Sequence, residues 1–156
     1  MSKAPRRGMV LAAMWCLCVL PRPAEAVLGE PVASVHADQM RLQGSRRVIS
    51  ALRYQVHDIR SADGAIVKQY ANSSGQVFCV NWRSQLKPNL ASLLGQSFGD
   101  YTVATSKAAP ARGYARRNDI QSGNLVVNEV QHLGVFSGQA CLRNLIPQGV
   151  AAHELR

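Results

Sequence analysis

Beyond its first 26 residues this chain has little of what usually marks a catalytic or metal-binding protein. Only two cysteines remain there, Cys79 and Cys141, and their wide separation excludes the Cys-x-x-Cys spacing of thiol oxidoreductases. The four histidines, His36, His57, His132 and His153, never stand at ligand spacing with a second His, Cys or carboxylate. The exception is the adjacent pair His57-Asp58, whose side chains point to opposite faces if the segment is a strand. Asp38, Asp58, Asp63, Asp100, Asp119, Glu129 and Glu154 are equally dispersed. No metal site, cofactor or catalytic residue is therefore expected from local spacing. Long apolar runs are also missing from this part, so no transmembrane helix is expected in it.

What is present is concentrated at the start. Lys3, Arg6 and Arg7 precede an apolar run from Met9 to Leu20, and Ala24-Glu25-Ala26 supplies small residues at the spacing of a signal-peptidase site. Residues 1–26 read as a secretory signal peptide, with cleavage expected after Ala26 and a periplasmic or secreted product. Pro5 before Arg6-Arg7 and Gly8-Met9-Val10 after it fit a twin-arginine signal only loosely, so the general export route is the expected one. The run of about 12 apolar residues falls short of the roughly 20 that span a bilayer. Trp15 and Leu17 stand directly before Cys16 and Cys18, where a lipoprotein signal needs a small residue.

About 130 residues remain after cleavage, enough for one domain with one core. Of the 18 Lys and Arg, Lys3, Arg6, Arg7 and Arg22 lie in the leader, as does Glu25 of the nine acids, which leaves a net charge of +6 downstream. That surface is basic without being extreme. In an oxidising compartment Cys79 and Cys141 are expected to be bonded. The loop closed, near 60 residues, corresponds to about 4 kcal/mol in the chain-entropy account.

Local patterns place the elements. Pro31 to Leu42 reads as a short helix with Ser34 as N-cap and Val35, Met40 and Leu42 on its apolar face, ending at Gly44. Val48 to Arg60 reads as one extended run, and Ala65 to Tyr70 completes a hairpin around Asp63-Gly64. A three-residue loop of Ala62, Asp63 and a left-handed Gly64 sets Ile59 opposite Val67, Asp58 opposite Lys68 and Val56 opposite Tyr70. A two-residue turn would set Ile59 opposite Lys68. Gln76 to Trp82 alternates, with Phe78, Val80 and Trp82 on one face and Val77, Cys79 and Asn81 on the other. Val135 to Leu142 puts Phe136, Gly138, Ala140 and Leu142 opposite Ser137, Gln139 and Cys141. Both cysteines thus fall on the more polar faces, as a bridge between neighbouring strands would require.

Pro88-Asn89 opens a helix through Leu90, Leu93 and Leu94, which Gly95 ends. Leu125 to Val130 is a further strand, turned at His132-Leu133-Gly134, and Pro147 to Arg156 has room for a last helical turn. Residues 105–118, rich in Ala, Gly, Arg and Lys, read as a mobile basic loop. The expected fold is α+β: a single small domain, an antiparallel β-meander with one or two short helices packed on one face and a curved or partly closed sheet.

Gly95-Gln96-Ser97-Phe98-Gly99 matches the Gly-x-Ser-x-Gly of a nucleophile elbow. That motif requires a strand turning into a helix, whereas a helix precedes it here, and Gly95 is read as a helix C-cap. Lys107, Arg112, Arg116 and Arg117, with Tyr114 among them, are the candidate anion-binding set.

Leu28-Gly29, Tyr54 to Ile59 leading to Asp63-Gly64, and Gly75 to Trp82 form an ordered series. It continues through Pro88-Asn89-Leu90, Leu93-Leu94-Gly95, Leu125-Val126-Val127, Phe136 to Leu142, Pro147 to Val150 and Glu154-Leu155-Arg156. In these features the chain resembles a family of secreted proteobacterial proteins, domain-of-unknown-function family 2844. The resemblance implies an exported single domain and supplies no catalytic residues. Together these readings favour a non-enzymatic binding or interaction domain of the bacterial envelope, with an envelope protein or an anionic surface as partner. The alternatives left open are an anion-binding module using residues 107–117, for lipid headgroups, acidic polysaccharide or nucleic acid, and a small hydrolase with an unrecognised site.

Overall fold

The computed structural model describes residues 28–107 and 116–155. Seven antiparallel strands form one open sheet: β1 (Ser45–Ser50), β2 (Tyr54–Arg60), β3 (Ile66–Asn72), β4 (Val77–Ser84), β5 (Arg116–Ser122), β6 (Leu125–His132) and β7 (Val135–Leu142). Their order across the sheet is β1-β2-β3-β4-β7-β6-β5. Two meanders are thus joined edge to edge at β4 and β7, and the crossover between them carries helices α2 (Leu90–Leu94) and α3 (Phe98–Lys107). Helix α1 (Val35–Arg41) precedes the first meander. The expected α+β meander with short helices is the fold observed. The sheet does not close, however: β1 and β5 remain its two edges.

The β2–β3 hairpin has the expected register, with Val56 opposite Tyr70, Asp58 opposite Lys68 and Ile59 opposite Val67. Ser61 and Ala65 close the loop by a 2.9 Å backbone bond, the Asp63 carboxylate accepts the Ala65 N–H, and Gly64 is left-handed at φ 85°. The extended run from Val48 to Arg60 is in fact two strands. A turn at residues 51–53 folds β1 onto β2, which lets β1 share a ladder without adding to the core: all six of its residues are exposed.

Faces are also redistributed on β4. Tyr70 pairs with Cys79 and Ala71 with Val77, so Phe78 is an extra residue in the ladder. Such a bulge interrupts strict alternation. Phe78 therefore joins Cys79 on one side of the sheet, while Val77, Val80 and Trp82 share the other. On β7 the alternation holds, with Ala140 and Leu142 on the helix side and Cys141 on the opposite one.

The helix side holds the larger core, in which Val35, Leu93, Leu94 and Tyr101 of the helices pack on Ile59, Val67, Val80, Trp82, Ile120, Leu125 and Val127. Each such buried side chain contributes roughly 1.5–3 kcal/mol. Met40 is 67% exposed and does not belong to it. Ser34 holds the N-cap position of α1 as expected, but its side chain makes no capping bond: it closes a preceding 3-10 turn and donates its hydroxyl to the Pro31 carbonyl. Asn89 does cap α2, its Oδ1 accepting the Ser92 N–H at 3.3 Å, and Gly95 ends that helix as expected. Gly95 also begins a 3-10 turn that holds Ser97 and leads into α3, so Ser97 lies between two helices and not at a strand-to-helix elbow.

The other face carries a smaller core of Tyr70, Phe78, Cys79, Cys141 and Leu155. Cys79 and Cys141 stand directly opposite each other on β4 and β7, with Cα atoms 4.1 Å apart, and are disulfide-bonded. Their face is not the polar one expected, because the chain end covers it. Asn81 Nδ2 donates to the Leu155 carbonyl at 2.8 Å, and Gln139 Nε2 donates to the Ala152 and Leu155 carbonyls at 3.0 and 2.9 Å. These bonds seat Leu155 over the disulfide, and residues Ala152–Glu154 form the expected last turn.

Candidate functional site

The loop that leaves β4 at residues 85–89 separates two depressions on the helix side of the sheet, and Trp82, Lys87 and Pro88 line both. The first, about 240 Å³, is walled by Ile66, Val67, Leu86 and Leu93, with Arg41, Arg83 and Lys87 adding positive charge. The second, about 210 Å³, is more polar and contains Tyr101, Arg116, Asn118, Glu129, Gln131 and Phe136. Trp82 reaches both because the residue opposite it on β7 is Gly138, which leaves room for the indole.

Each charged wall has a cause. Arg41 is held by Asp38, which is 1% exposed, through a 2.7 Å ion pair one helical turn away. Asp38 is also reached from the sheet, by Gln69 Nε2 at 2.5 Å. Tyr101 donates its hydroxyl to Glu129 at 2.7 Å. Burial first, and then that bond and the Glu129 charge, push the phenol up to about 12, so it stays protonated at neutral pH. Among the described residues no histidine or cysteine lines either depression. The walls supply cations, carboxylates, apolar surface and hydrogen-bonding groups.

The candidate cations that are described, Lys107, Arg116 and Arg117, lie on regular elements. Lys107 is the last residue of α3, Arg116 and Arg117 begin β5, and Arg112 and Tyr114 lie outside the described residues. The loop expected over residues 105–118 is thus shortened at both ends by regular structure. Adjacent residues of a strand face opposite ways. Arg116 accordingly lines the second depression, while Arg117 pairs with Asp119 at 2.8 Å. Arg41, Arg83 and Lys87 were not singled out by sequence reasoning. They come from two segments, α1 and the end of β4 with the loop after it, and the placing of α1 against the sheet brings them together.

The histidines also lie apart. His36 and His132 are exposed, whereas His57 is 3% exposed on β2, and neither of its ring nitrogens has a hydrogen-bond partner among the described residues. Burial first, and then the nearby Arg46 charge, lower its pKa from 6.5. Asp58, opposite Lys68, also approaches Arg60 at 3.7 Å. Among the described residues no helix is long and apolar enough to cross a membrane.

Fold and depressions together define a small disulfide-bonded α+β domain, with a partly apolar surface at one end of its sheet that Arg41, Arg83, Lys87 and Asp63 line. The chain belongs to a family of proteins of unknown function, DUF2844, whose model matches residues 24–155. No curated protein and no solved structure matches it.

Proposed function

We propose that this protein is an exported, non-enzymatic binding domain of the bacterial envelope, and that the surface around Trp82 and the 85–89 loop is where it meets its partner. The observation that carries the reading is the Cys79–Cys141 bond. It closes a 62-residue separation, lies within a core and is covered by the chain end. Buried structural disulfides belong to oxidising compartments. The leader pattern of residues 1–26 supports the same compartment. Support for binding comes from the cleft, whose cations Arg83 and Lys87 are exposed beside apolar walls.

A photo-crosslinking side chain placed at Lys87, in the protein expressed in its host, tests this. The reading expects recovery from the extracytoplasmic fraction, with adducts formed from position 87 and absent from position 143 at the other end of the sheet. Residence in the cytoplasm, or no adduct of any class from position 87, would overturn it.

A further inference from the structure

We propose that the end of the sheet bearing Leu86 and Leu133 docks on an anionic phospholipid surface; this rests on the reading of the chain as an exported binding domain and names its partner. Strands β4 and β7 are neighbours, and Ser84 pairs with Phe136 at the end in question. Leu86 lies two residues beyond Ser84, and Leu133 forms the tip of the β6–β7 hairpin. The two therefore leave the same end of the sheet from adjacent strands. They are 64% and 87% exposed.

Leu133 carries a second signal. His132 pairs with Val135, so the hairpin turns on Leu133 and Gly134 alone, with φ values of 49° and 77°. Two-residue turns with both φ positive favour Asn-Gly, and a leucine there is strained. A backbone outlier that holds an exposed apolar side chain in water adds nothing to folding, and such outliers concentrate at functional positions.

The surroundings fit a lipid surface. Leu86 lines the first depression with the exposed Arg83 and Lys87, and Arg116, Gln131 and Phe136 share the second with Lys87. Glu129, the acid in that depression, is engaged by Tyr101. Isolated apolar tips among cations match an interface in which acyl chains lie just below a plane of phosphates.

Sedimentation with vesicles of phosphatidylglycerol and phosphatidylcholine, against phosphatidylcholine alone, tests the proposal. The wild-type protein is expected to sediment with the anionic vesicles only, and less as salt rises from ~50 to ~200 mM. Leu133→Asn suits the turn, so it should keep or raise the thermal midpoint, and together with Leu86→Ser it should weaken partitioning about tenfold or more. Lys87→Glu with Arg116→Glu should abolish sedimentation, while Arg143→Glu, beyond the far end of β7, should leave it unchanged. No sedimentation with anionic vesicles, indifference to the leucine changes, or an equal loss for Arg143→Glu would overturn it. If vesicles fail and a crosslinker at position 87 still captures a protein, the lipid proposal falls and the binding reading stands.

Discussion

Trp82 occupies the space that a side chain on Gly138 would need. The two residues are directly opposite on β4 and β7, and a Cβ at Gly138 would come within 2.7 Å of the indole Cε2 and 2.8 Å of the Asn128 carbonyl oxygen. Gly138→Ala must therefore move the indole or the β6 backbone. Overpacking of this kind costs about 1–3 kcal/mol. Urea unfolding should show that loss, together with altered tryptophan emission. An unchanged midpoint would mean that the indole does not lie over Gly138.

The disulfide joins the two meanders at their shared seam. Replacing both Cys79 and Cys141 by alanine should cost about 4 kcal/mol if the loop-closure account holds. Denaturant titration of the double variant measures this, and a loss below about 1 kcal/mol would show that the strand ladder alone fixes the seam.

Leu155 shields that bond. Leu155→Ala should destabilise by at least about 2 kcal/mol, and it should speed reduction of the disulfide by dithiothreitol. Asn81→Ala should speed reduction as well, because it removes a side chain that holds the Leu155 carbonyl. Equal reduction rates in the variants and the wild type would contradict a protective tail.

His57 gives stability a pH dependence whose sign comes from its surroundings. Burial and Arg46 lower its pKa in the folded protein, so below about pH 6.5 the unfolded chain takes up a proton more readily than the folded one does. Stability from this group is full above 6.5 and is lost progressively as pH falls through and below that value. Thermal melts from pH 7.5 to 5.5 should show a falling midpoint. His57→Met should flatten that fall, and an equally steep decline in the variant would assign it to other groups.

Leu133→Asn should stabilise the protein by up to about 1 kcal/mol, since it relieves a left-handed leucine at a turn suited to asparagine. A loss of stability would show that Leu133 packs on something in the folded protein.

The legible parts of the fold were those fixed by neighbours in sequence. The β2–β3 register followed from Asp63-Gly64 and from three compatible cross-strand pairs, and α2 followed from its Asn89 cap and Gly95 stop. The β1–β2 turn was hidden because Ala51-Leu52-Arg53 contains no glycine or proline. Strand β5 has one buried apolar residue, Ile120, so an edge strand looked like loop. The Phe78 bulge depends on how β3 pairs with β4, which alternation within β4 does not reveal. The cleft was the least legible feature. Its cations lie on α1, on β4 and the loop after it, and on β5, and they meet only through tertiary pairing.

The most direct test of an exported, disulfide-bonded binding domain is the intact mass of the protein recovered from its host's extracytoplasmic fractions, before and after reduction and alkylation. The account predicts a chain beginning at Val27 and two hydrogens lighter than its dithiol form. A retained leader, or two free thiols at Cys79 and Cys141, would contradict it.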